Sequence, residues 1–241
     1  MPADTLAVIL AAGTGTRLRP LTDNRPKCLL EVGGRALLDY QLDALAANDV
    51  QDILVVTGYC AEQVVERYGA RVRTLYDPEY ETTNNLHSLW TARKELAGRD
   101  VVCLHADVLF HAAILRPCLE AGHDVTAVLD RALVEETMKA RVEGERIVEI
   151  GKQIPAREQF GTFLGIARFA PTATAALVDS LELLVEDEAQ RQSYFVACLP
   201  LLAGQGLQVG YSLTGGLPWV EIDTPEDLEA SAEVLGKISP A

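Results

Sequence analysis

The chain of 241 residues lacks several features that would assign it to a broad class of proteins. It contains no apolar run near the ~20 residues that a membrane-spanning helix needs. Its first residues, MPADTLAVIL, lack the basic segment followed by an apolar stretch that marks a secretory signal. We therefore expect a cytoplasmic protein that does not contact a membrane.

Cysteine pairs of the kind that build disulfide frameworks or zinc sites are also missing. The five cysteines are odd in number, lie far apart and form no CxxC motif. Such scattered cysteines are typical of reduced thiols, most of them in the core. Neither a disulfide framework nor a zinc site is expected.

Positive charge is scarce in this chain. The 21 lysines and arginines face 35 aspartates and glutamates, and the formal net charge is -14. Most of the surface would repel a polyanion, which argues against nucleic acid as a partner. The balance reverses between residues 17 and 35, so an anionic ligand should be small and bind there. The charged residues of this segment are Arg17, Arg19, Arg25, Lys27 and Arg35 against Asp23 and Glu31.

The chain does contain short apolar runs that alternate with helical patterns. Expected strands cover residues 6–10, 53–58, 71–76, 101–106 and 125–130, with helices near 35–48, 61–68, 85–96 and 111–120. This alternation predicts an α/β fold, Rossmann-like, with a mixed, mostly parallel sheet and helices on both faces. Beyond residue 135 we expect a hairpin turned at 143–145, a strand at 161–169, helices near 172–185 and 193–203, a strand near 207–212 and a helix from Pro225.

A glycine-bearing loop follows the first apolar run, LAVIL. Gly13 and Gly15 let backbone N–H groups approach a ligand closely, and a phosphate group is the natural guest. Leu18 stands where the dinucleotide fingerprint GxGxxG needs its third glycine, and no GxxxxGK[ST] motif is present. A nicotinamide oxidoreductase and a P-loop NTPase are therefore disfavoured. An ordinary turn with solvated arginines is the alternative.

The residues after the glycines favour an ordered phosphate-binding loop. Pro20 and Pro26 stiffen the segment and hold Lys27 at a fixed place. An arginine fork such as that of Arg17 suits phosphate oxygens, and a lysine adds a compact charge.

The 36 residues LAAGTGTRLRPLTDNRPKCLLEVGGRALLDYQLDAL resemble the signature of the sugar-phosphate and phosphocholine nucleotidyltransferases. The family pattern is GxGxR, then a proline and a lysine, then a leucine-rich strand and a helix. The resemblance implies a GT-A-like fold whose loop wraps a nucleoside triphosphate, with Arg17 and Lys27 as the catalytic residues on its phosphates. The nucleotide-binding positions of the loop are then Leu10, Ala11, Ala12, Gly13 and Gly15.

The segment YETTNNLHSLWTARKEL (80–96) carries the pattern NNxxSL, which resembles the cytidylyltransferase branch of the family. That branch includes bacterial phosphocholine and phosphonate cytidylyltransferases. An asparagine side chain offers both donors and an acceptor to a base or a ribose. We expect nucleotide contacts from Asn84, Asn85 and Ser88. The alternative for one asparagine is a helix N-cap, a position that Thr83 or Asn84 would suit.

Two aspartates are expected to hold a magnesium ion. Asp107 follows the buried run VVCLHA, which places it at the carboxyl end of a strand, where open α/β sheets bind ligands. The segments HADVLF and WVEIDTPEDL resemble the two family motifs whose aspartates ligate the metal, here Asp107 and Asp223. Residues 224–227 already supply a helix cap, which leaves Asp223 available. Glu221 is a candidate third ligand, and carboxylates with substrate phosphates suit Mg²⁺.

The acceptor-binding residues are expected in the second half of the chain. Lys152 in VEIGKQIP stands where sugar-phosphate members carry a lysine in an EKP-like motif, although GKQ departs from that motif. Lys139, on the partnering strand, is a second candidate. Trp219, with Tyr194 and Phe195, would line a pocket for a quaternary ammonium by cation–π contact. A solvated hairpin lysine and a packed aromatic core are the alternatives.

The resemblance implies a magnesium-dependent cytidylyltransferase that joins CMP from CTP to a small phosphomonoester or phosphonate, such as phosphocholine or 2-aminoethylphosphonate, and releases pyrophosphate. We expect a single domain over residues 1–241, with a nucleotide-binding half (1–130) and an acceptor-binding half (131–241). A hexose-1-phosphate nucleotidyltransferase using dTTP, UTP or GTP is one alternative, and a non-catalytic nucleotide sensor is another. The oligomeric state stays open.

Overall fold

The computed structural model describes residues 5–238 of the chain. Its strands are β1 (Thr5–Ala11), β2 (Glu31–Val32), β3 (Arg35–Ala36), β4 (Asp52–Thr57), β5 (Arg73–Tyr76), β6 (Asp100–His105), β7 (Val108–Phe110), β8 (Val125–Asp130), β9 (Lys139–Glu143), β10 (Arg146–Gly151), β11 (Gly161–Phe169), β12 (Val209–Leu213) and β13 (Trp219–Glu221). Its α-helices are α1 (Leu37–Ala46), α2 (Ala61–Tyr68), α3 (Asn85–Thr91), α4 (Leu115–Glu120), α5 (Pro171–Glu186), α6 (Cys198–Gly204) and α7 (Pro225–Ile238). Within these residues no helix has both the length and the apolar character needed to cross a membrane.

Nine of the described strands form one mixed sheet. Its main path runs β10-β9-β11-β6-β1-β4-β5, and β8 joins β11 to β12. The pairs β1–β4, β1–β6, β4–β5 and β8–β12 are parallel, whereas β11 is antiparallel to β6, β8 and β9. Strand β11 therefore connects the parallel first half of the sheet to the strands of the second half.

The two faces of the sheet bury two separate apolar clusters. Successive residues of a strand point to opposite faces, so Leu6 and Val8 of β1 pack on one side and Ala7 and Ile9 on the other. Helices α3, α5 and α6 cover the first side, and α1, α2 and α4 cover the second. This arrangement confirms the expected α/β class with helices on both faces.

Helix α7 begins at a capping box. The Thr224 hydroxyl accepts from the Asp227 amide at 3.2 Å, and the Asp227 carboxylate accepts from the Thr224 amide at 2.8 Å and the Asp223 amide at 3.0 Å. These bonds satisfy donors that the first turn of a helix leaves unpaired. The carboxylate of Asp223 takes no part in the cap, as the sequence predicted.

The longer elements lie close to their expected positions, whereas the pairing of the shortest strands was not predicted. The expected strands at 125–130 and 161–169 match β8 and β11, and the hairpin turns at residues 144–145 between β9 and β10. The pairs β2–β3 and β7–β13 have no counterpart in the sequence prediction. Strands of two or three residues are too short to show a period in the sequence.

Candidate active site

A cavity of about 330 Å³ opens at the carboxyl ends of β1 and β6. These strands are parallel neighbours, and Leu10 lies opposite His105 in their register. The glycine loop after β1 and the aspartate after β6 therefore meet at one edge of the sheet. The predicted nucleotide-binding residues that line the cavity are Leu10, Ala11, Ala12, Gly13, Gly15, Asn84, Asn85 and Ser88.

The glycine loop takes a conformation that leaves its backbone accessible. Gly15 has a φ of 61°, in the left-handed region, and its carbonyl accepts from the Thr22 hydroxyl at 2.8 Å. A Cβ added to Gly13 would meet no heavy atom of the described chain within 4 Å. A ligand therefore has room beside Gly13, as a phosphate-binding loop requires.

Lys27 connects two carboxylates in the cavity. Its Nζ donates to Asp107 Oδ2 at 2.8 Å and also to Asp223 Oδ1, and Arg17 Nη2 donates to Asp223 Oδ2 at 2.7 Å. Burial of the Lys27 ammonium opposes its charge, but the two carboxylates outweigh this effect and raise its pKa. Burial would likewise raise the pKa of Asp107, yet the neighbouring Lys27 charge keeps it below its ordinary value. The four residues form one compact network of charges.

Strand pairing between β7 and β13 brings the two aspartates together. Glu221 pairs with Val108 in the antiparallel register, and the Ile222 amide donates to the Asp107 carbonyl at 2.9 Å. Asp107 and Asp223 are 116 positions apart in the chain, and this short ladder places both against Lys27.

The carboxylates have the donor set that a divalent metal ion needs. Asp107 Oδ1 is buried and has no hydrogen-bond partner, and such an orphaned oxygen is costly unless a cation meets it. Ligand atoms of His105, Asp107 and Glu221 lie within 4.8 Å of one another. Burial, followed by the charges of Asp107 and Asp223, raises the pKa of Glu221 to about 8. Carboxylate oxygens are the ligands that Mg²⁺ prefers, so the residues fit this ion.

His105 also lines the cavity, although the sequence did not predict it as a site residue. Its ring lies against Phe163 and Phe195, with centroids 6.0 and 5.6 Å away, and its Nε2 is 2.9 Å from Asn85 Nδ2. Burial lowers the pKa of His105. One feature of the sequence could have indicated His105. It lies two residues before Asp107, and residues two apart in an extended chain point to the same side.

The two asparagines also have structural partners. Asn84 caps α3, because its side-chain oxygen accepts from the Asn85 amide at 2.8 Å. Asn85 accepts from the Phe195 amide at 2.8 Å and so ties α3 to the segment before α6. Ser88 donates to the buried Asp77 at 2.9 Å. The alternative considered for one asparagine, an N-cap, thus applies to Asn84, and nucleotide contact by the three residues stays a prediction.

The expected acceptor-binding residues separate into two groups. Lys152 and Tyr194 line the cavity, and Lys152 Nζ lies 5.9 Å from the Tyr194 ring centroid. Lys139 and Trp219 are not among the lining residues. Lys139 donates to the loop before β9, and Trp219 Nε1 donates to Asp130 at 2.7 Å. Their polar groups therefore bind the protein itself rather than face the cavity.

The chain is similar in sequence to known nucleotidyltransferases. A family model described as a MobA-like NTP transferase domain matches residues 7–192. The choline-phosphate cytidylyltransferase of Streptococcus pneumoniae is 42% identical over 99 residues, which are 40% of this chain and 42% of that protein. The CMP-5'-(3-aminopropyl)phosphonate synthase of Streptomyces rubellomurinus is 31% identical over 92% of this chain and 37% of that protein. The matched parts span less than half the length of these two relatives.

A solved structure extends the likeness over the whole fold. The CTP:phosphocholine cytidylyltransferase from Streptococcus pneumoniae matches with a TM-score of 0.78 and 26% identity, over 96% of this chain and 99% of that one. The expected fold, a mostly parallel sheet of the GT-A-like nucleotidyltransferase type, is thereby confirmed.

Proposed function

The chain belongs to the family of MobA-like NTP transferases, and on that premise we propose that it is a magnesium-dependent cytidylyltransferase. It transfers CMP from CTP to a small phosphomonoester or phosphonate, such as phosphocholine or 2-aminoethylphosphonate, and releases pyrophosphate. The named activities of the matched relatives, a choline-phosphate cytidylyltransferase and a CMP-aminopropylphosphonate synthase, support both the nucleotide and the kind of acceptor.

The observation that carries the proposal is the network of opposite charges in the cavity. Lys27 and Arg17 come from the glycine loop, and Asp107 and Asp223 come from two distant strand ends. A site for a nucleoside triphosphate and a metal ion needs cations for the phosphates and carboxylates for the metal. In this cavity the cations and the carboxylates lie within hydrogen-bonding distance of one another.

The reaction needs positioning and charge more than proton transfer. The second pKa of a phosphate monoester is ~6, so the acceptor is largely a dianion at neutral pH and needs no general base. An acceptor oxygen attacks the α-phosphorus in line, and the bond from this phosphorus to the bridging oxygen breaks as pyrophosphate leaves with the electron pair. Lys27 offsets the negative charge that develops on the α-phosphate, and Arg17 stabilises the departing pyrophosphate.

Asp107 and Asp223 would hold the magnesium ion, with Glu221 as a further ligand. The buried, unpaired Oδ1 of Asp107 supports Asp107 as a ligand, and a ligand atom of Glu221 lies within 4.8 Å of one of Asp107. Asp223 is assigned from its motif and from the Lys27 ammonium that it shares with Asp107. When bound, the ion supplies a Lewis acid that draws charge from the phosphate oxygens. The carboxylates also orient Lys27, whose ammonium they share.

The two halves of the chain divide the binding work. Residues 1–130 bind the nucleotide, through the loop at residues 10–15 and through Asn84, Asn85 and Ser88. Residues 131–241 bind the acceptor, whose phosphate we assign to Lys152. Residues from both halves line one cavity, which supports this division.

A pyrophosphate-release screen tests the function. Each of CTP, ATP, GTP, UTP and dTTP is paired with phosphocholine, 2-aminoethylphosphonate, phosphoethanolamine, inositol phosphate and glucose 1-phosphate, with Mg²⁺ and with a chelator. We expect release with CTP, with a phosphate or phosphonate that carries an amine, and with Mg²⁺ present. Release with a hexose 1-phosphate and dTTP, UTP or GTP would indicate the other enzyme class. No release with any pair would favour a nucleotide sensor.

Removing the charge of Asp107 tests the site assignment. We expect Asp107→Asn to lower turnover at least about a hundredfold, because the metal loses a ligand and Lys27 loses a partner. Steady-state pyrophosphate release measures the loss, and a thermal melt shows that the variant is folded. Asp49→Asn, at an exposed position, is the matched control and should keep full activity. Near-native turnover of Asp107→Asn would show that the site lies elsewhere.

A further inference from the structure

The loop between β8 and β9, residues 131–138, lines part of the cavity through Glu136, Thr137 and Met138. Glu136 has a φ of 60°, in the left-handed region that non-glycine residues rarely adopt. A residue in such a strained conformation persists where the surrounding contacts impose it. The contacts of the 131–138 loop therefore indicate what imposes this shape.

The first contact is a buried hydroxyl. Thr162 of β11 is fully buried, and its Oγ1 donates to the Ala132 carbonyl at 2.8 Å. The same oxygen accepts from the Val134 amide at 3.0 Å. One side chain of the sheet thus binds the first half of the loop at two points.

The second contact is the ammonium of Lys139. This side chain is nearly buried, and its Nζ donates to the Val134 carbonyl at 2.5 Å, to the Thr137 carbonyl at 2.9 Å and to Thr137 Oγ1 at 3.0 Å. A lysine has three donors, and all three acceptors lie in the loop on either side of Glu136. Burying a charge is costly unless it is fully hydrogen-bonded, and the loop meets that condition.

The third contact anchors the beginning of the loop. Asp130 accepts from the Ala132 amide at 2.8 Å, and its other oxygen accepts from Thr214 Oγ1 and Trp219 Nε1, both at 2.7 Å. Trp219 lies in β13, two residues before Glu221. The loop is therefore connected to the strand that also leads to the carboxylates of the site.

We propose that Lys139 is a positioning residue that holds the 131–138 loop in the shape in which Glu136 selects acceptors carrying an ammonium group. The inference rests on the proposed function, and it makes the acceptor a phosphate or phosphonate that carries an ammonium group rather than the phosphate of an uncharged polyol. Lys152 and Glu136 both line the cavity, which offers a cation for the phosphate and an anion for the amine of one zwitterionic molecule. Lys139 itself does not touch the acceptor.

Lys139→Met tests the positioning role, with Lys94→Met, at an exposed position, as the matched control. Hydrogen exchange of the free protein should show faster exchange of the 131–138 amides in Lys139→Met and no change in Lys94→Met. The KM for phosphocholine should rise about tenfold or more, since bonds to a charged donor are lost, while the KM for CTP stays within about twofold. Thr137→Val should also speed amide exchange of the loop and raise the KM for phosphocholine, but by smaller amounts. This variant replaces Lys139→Met as the test if Lys139→Met does not fold. Lys139→Arg should restore part of the acceptor affinity.

Glu136→Gln tests the charge that the loop presents. It should raise the KM for phosphocholine and 2-aminoethylphosphonate and leave the KM for inositol phosphate unchanged. A wild-type preference for inositol phosphate or glucose 1-phosphate over the amines would overturn the proposal. Equal rises in the KM values for CTP and phosphocholine in Lys139→Met, or unchanged exchange of the loop amides, would also overturn it. Failure of the proposed function is distinct, because it would appear as absence of pyrophosphate release by the wild-type chain.

Discussion

At the scale of single residues, Lys27 has two tasks that compete. In the structure its ammonium pairs with Asp107 and Asp223, the carboxylates that we assign to the metal. In the proposed reaction it faces the α-phosphate. Lys27 and Arg17 therefore offset the charges of the two carboxylates before any substrate binds, and the incoming triphosphate gives Lys27 a new anionic partner.

Lys27→Met should separate these two tasks. Without the ammonium, two carboxylates of like charge remain close together, so Mn²⁺ should bind in the absence of nucleotide at least about tenfold more tightly. Turnover should fall about a hundredfold or more, because the charge near the α-phosphate is lost. Electron paramagnetic resonance of free Mn²⁺ measures the binding, with Lys94→Met as the control. An unchanged affinity for Mn²⁺ would contradict the role of Lys27 as the partner of both carboxylates.

Glu136 and Lys139 show why residue type alone does not identify a contact. Both are charged residues of the half that we propose binds the acceptor, and the sequence predicted a contact for Lys139 but not for Glu136. The structure has Lys139 nearly buried beneath its loop and Glu136 exposed in the cavity lining. Burial decides which of the two can meet a ligand.

At the scale of secondary structure, α3 is held in place by a buried carboxylate. Asp77 follows β5, and it bonds to His87 Nδ1 at 2.8 Å and to Ser88 Oγ at 2.9 Å. Burial would raise the pKa of Asp77, but its bonds to His87 and Ser88 outweigh burial and lower it. The helix that carries Asn85 is thereby fixed to the end of the parallel sheet.

The pH dependence of stability should report this carboxylate. Since its pKa is lower in the folded than in the unfolded state, Asp77 stabilises the fold above its ordinary pKa of about 4, and this contribution is lost as the pH falls below that value. Asp77→Asn should lower the free energy of unfolding by about 1–3 kcal/mol at pH 7 and by less at pH 3. Urea unfolding at both pH values measures this, with Asp49→Asn as the control. An equal loss at both pH values would contradict the ionised role of Asp77.

Strand β11 passes close to the candidate active site at a glycine. Gly165 has a φ of 76°, and a Cβ there would lie 2.5 Å from His105 Nδ1. Gly144, in the β9–β10 turn, has a φ of 62° and open space around its Cβ position. Both glycines therefore have a left-handed backbone, but only Gly144 has room for a side chain.

Gly165→Ala and Gly144→Ala should therefore differ in cost. The left-handed backbone alone costs an alanine about 1–2 kcal/mol, which is the loss expected for Gly144→Ala. Gly165→Ala should lose about 1–3 kcal/mol more, because the added methyl group displaces the His105 ring. Chemical denaturation of both variants measures the difference. Equal losses would show that the ring moves aside freely.

At the scale of the whole molecule, β6 and β11 join the all-parallel first half of the sheet to its mixed second half. A buried ion pair crosses this junction, with Arg168 Nε 2.7 Å from Asp100 Oδ1. Arg168 also donates to the Ala121 carbonyl at 2.9 Å, and Asp100 accepts from the Thr5 hydroxyl at 3.1 Å. The pair thus connects β1, β6, β11 and the end of α4.

Arg168→Met should destabilise the fold by about 3–5 kcal/mol, because it leaves the Asp100 carboxylate buried without its partner. Arg116→Met, which breaks an exposed pair with Glu120 on α4, should cost less than about 1 kcal/mol. Thermal and urea unfolding measure both variants. A small loss in Arg168→Met would show that water reaches the β6–β11 junction.

The sequence by itself determined the local features of this protein. The glycine loop, the buried strands, the hairpin at residues 139–151 and the cap before α7 all follow from residues that are near neighbours in the chain. The spacing of apolar residues, the residues of turns and the caps of helices all depend on such neighbours, so they can be predicted without a structure. The strand-end position of Asp107 and the availability of Asp223 belong to this group.

Only the tertiary structure decided how these parts form one site. The ladder between β7 and β13 has three residues on each strand, too few for a periodic signal, yet it brings Asp223 beside Asp107. The roles of Lys139 and Trp219 likewise depend on partners in a folded loop, and the bond from Asn85 to Phe195 spans 110 positions. Burial and pairing over such separations arise from the packing of the whole sheet, which no short stretch of the chain encodes.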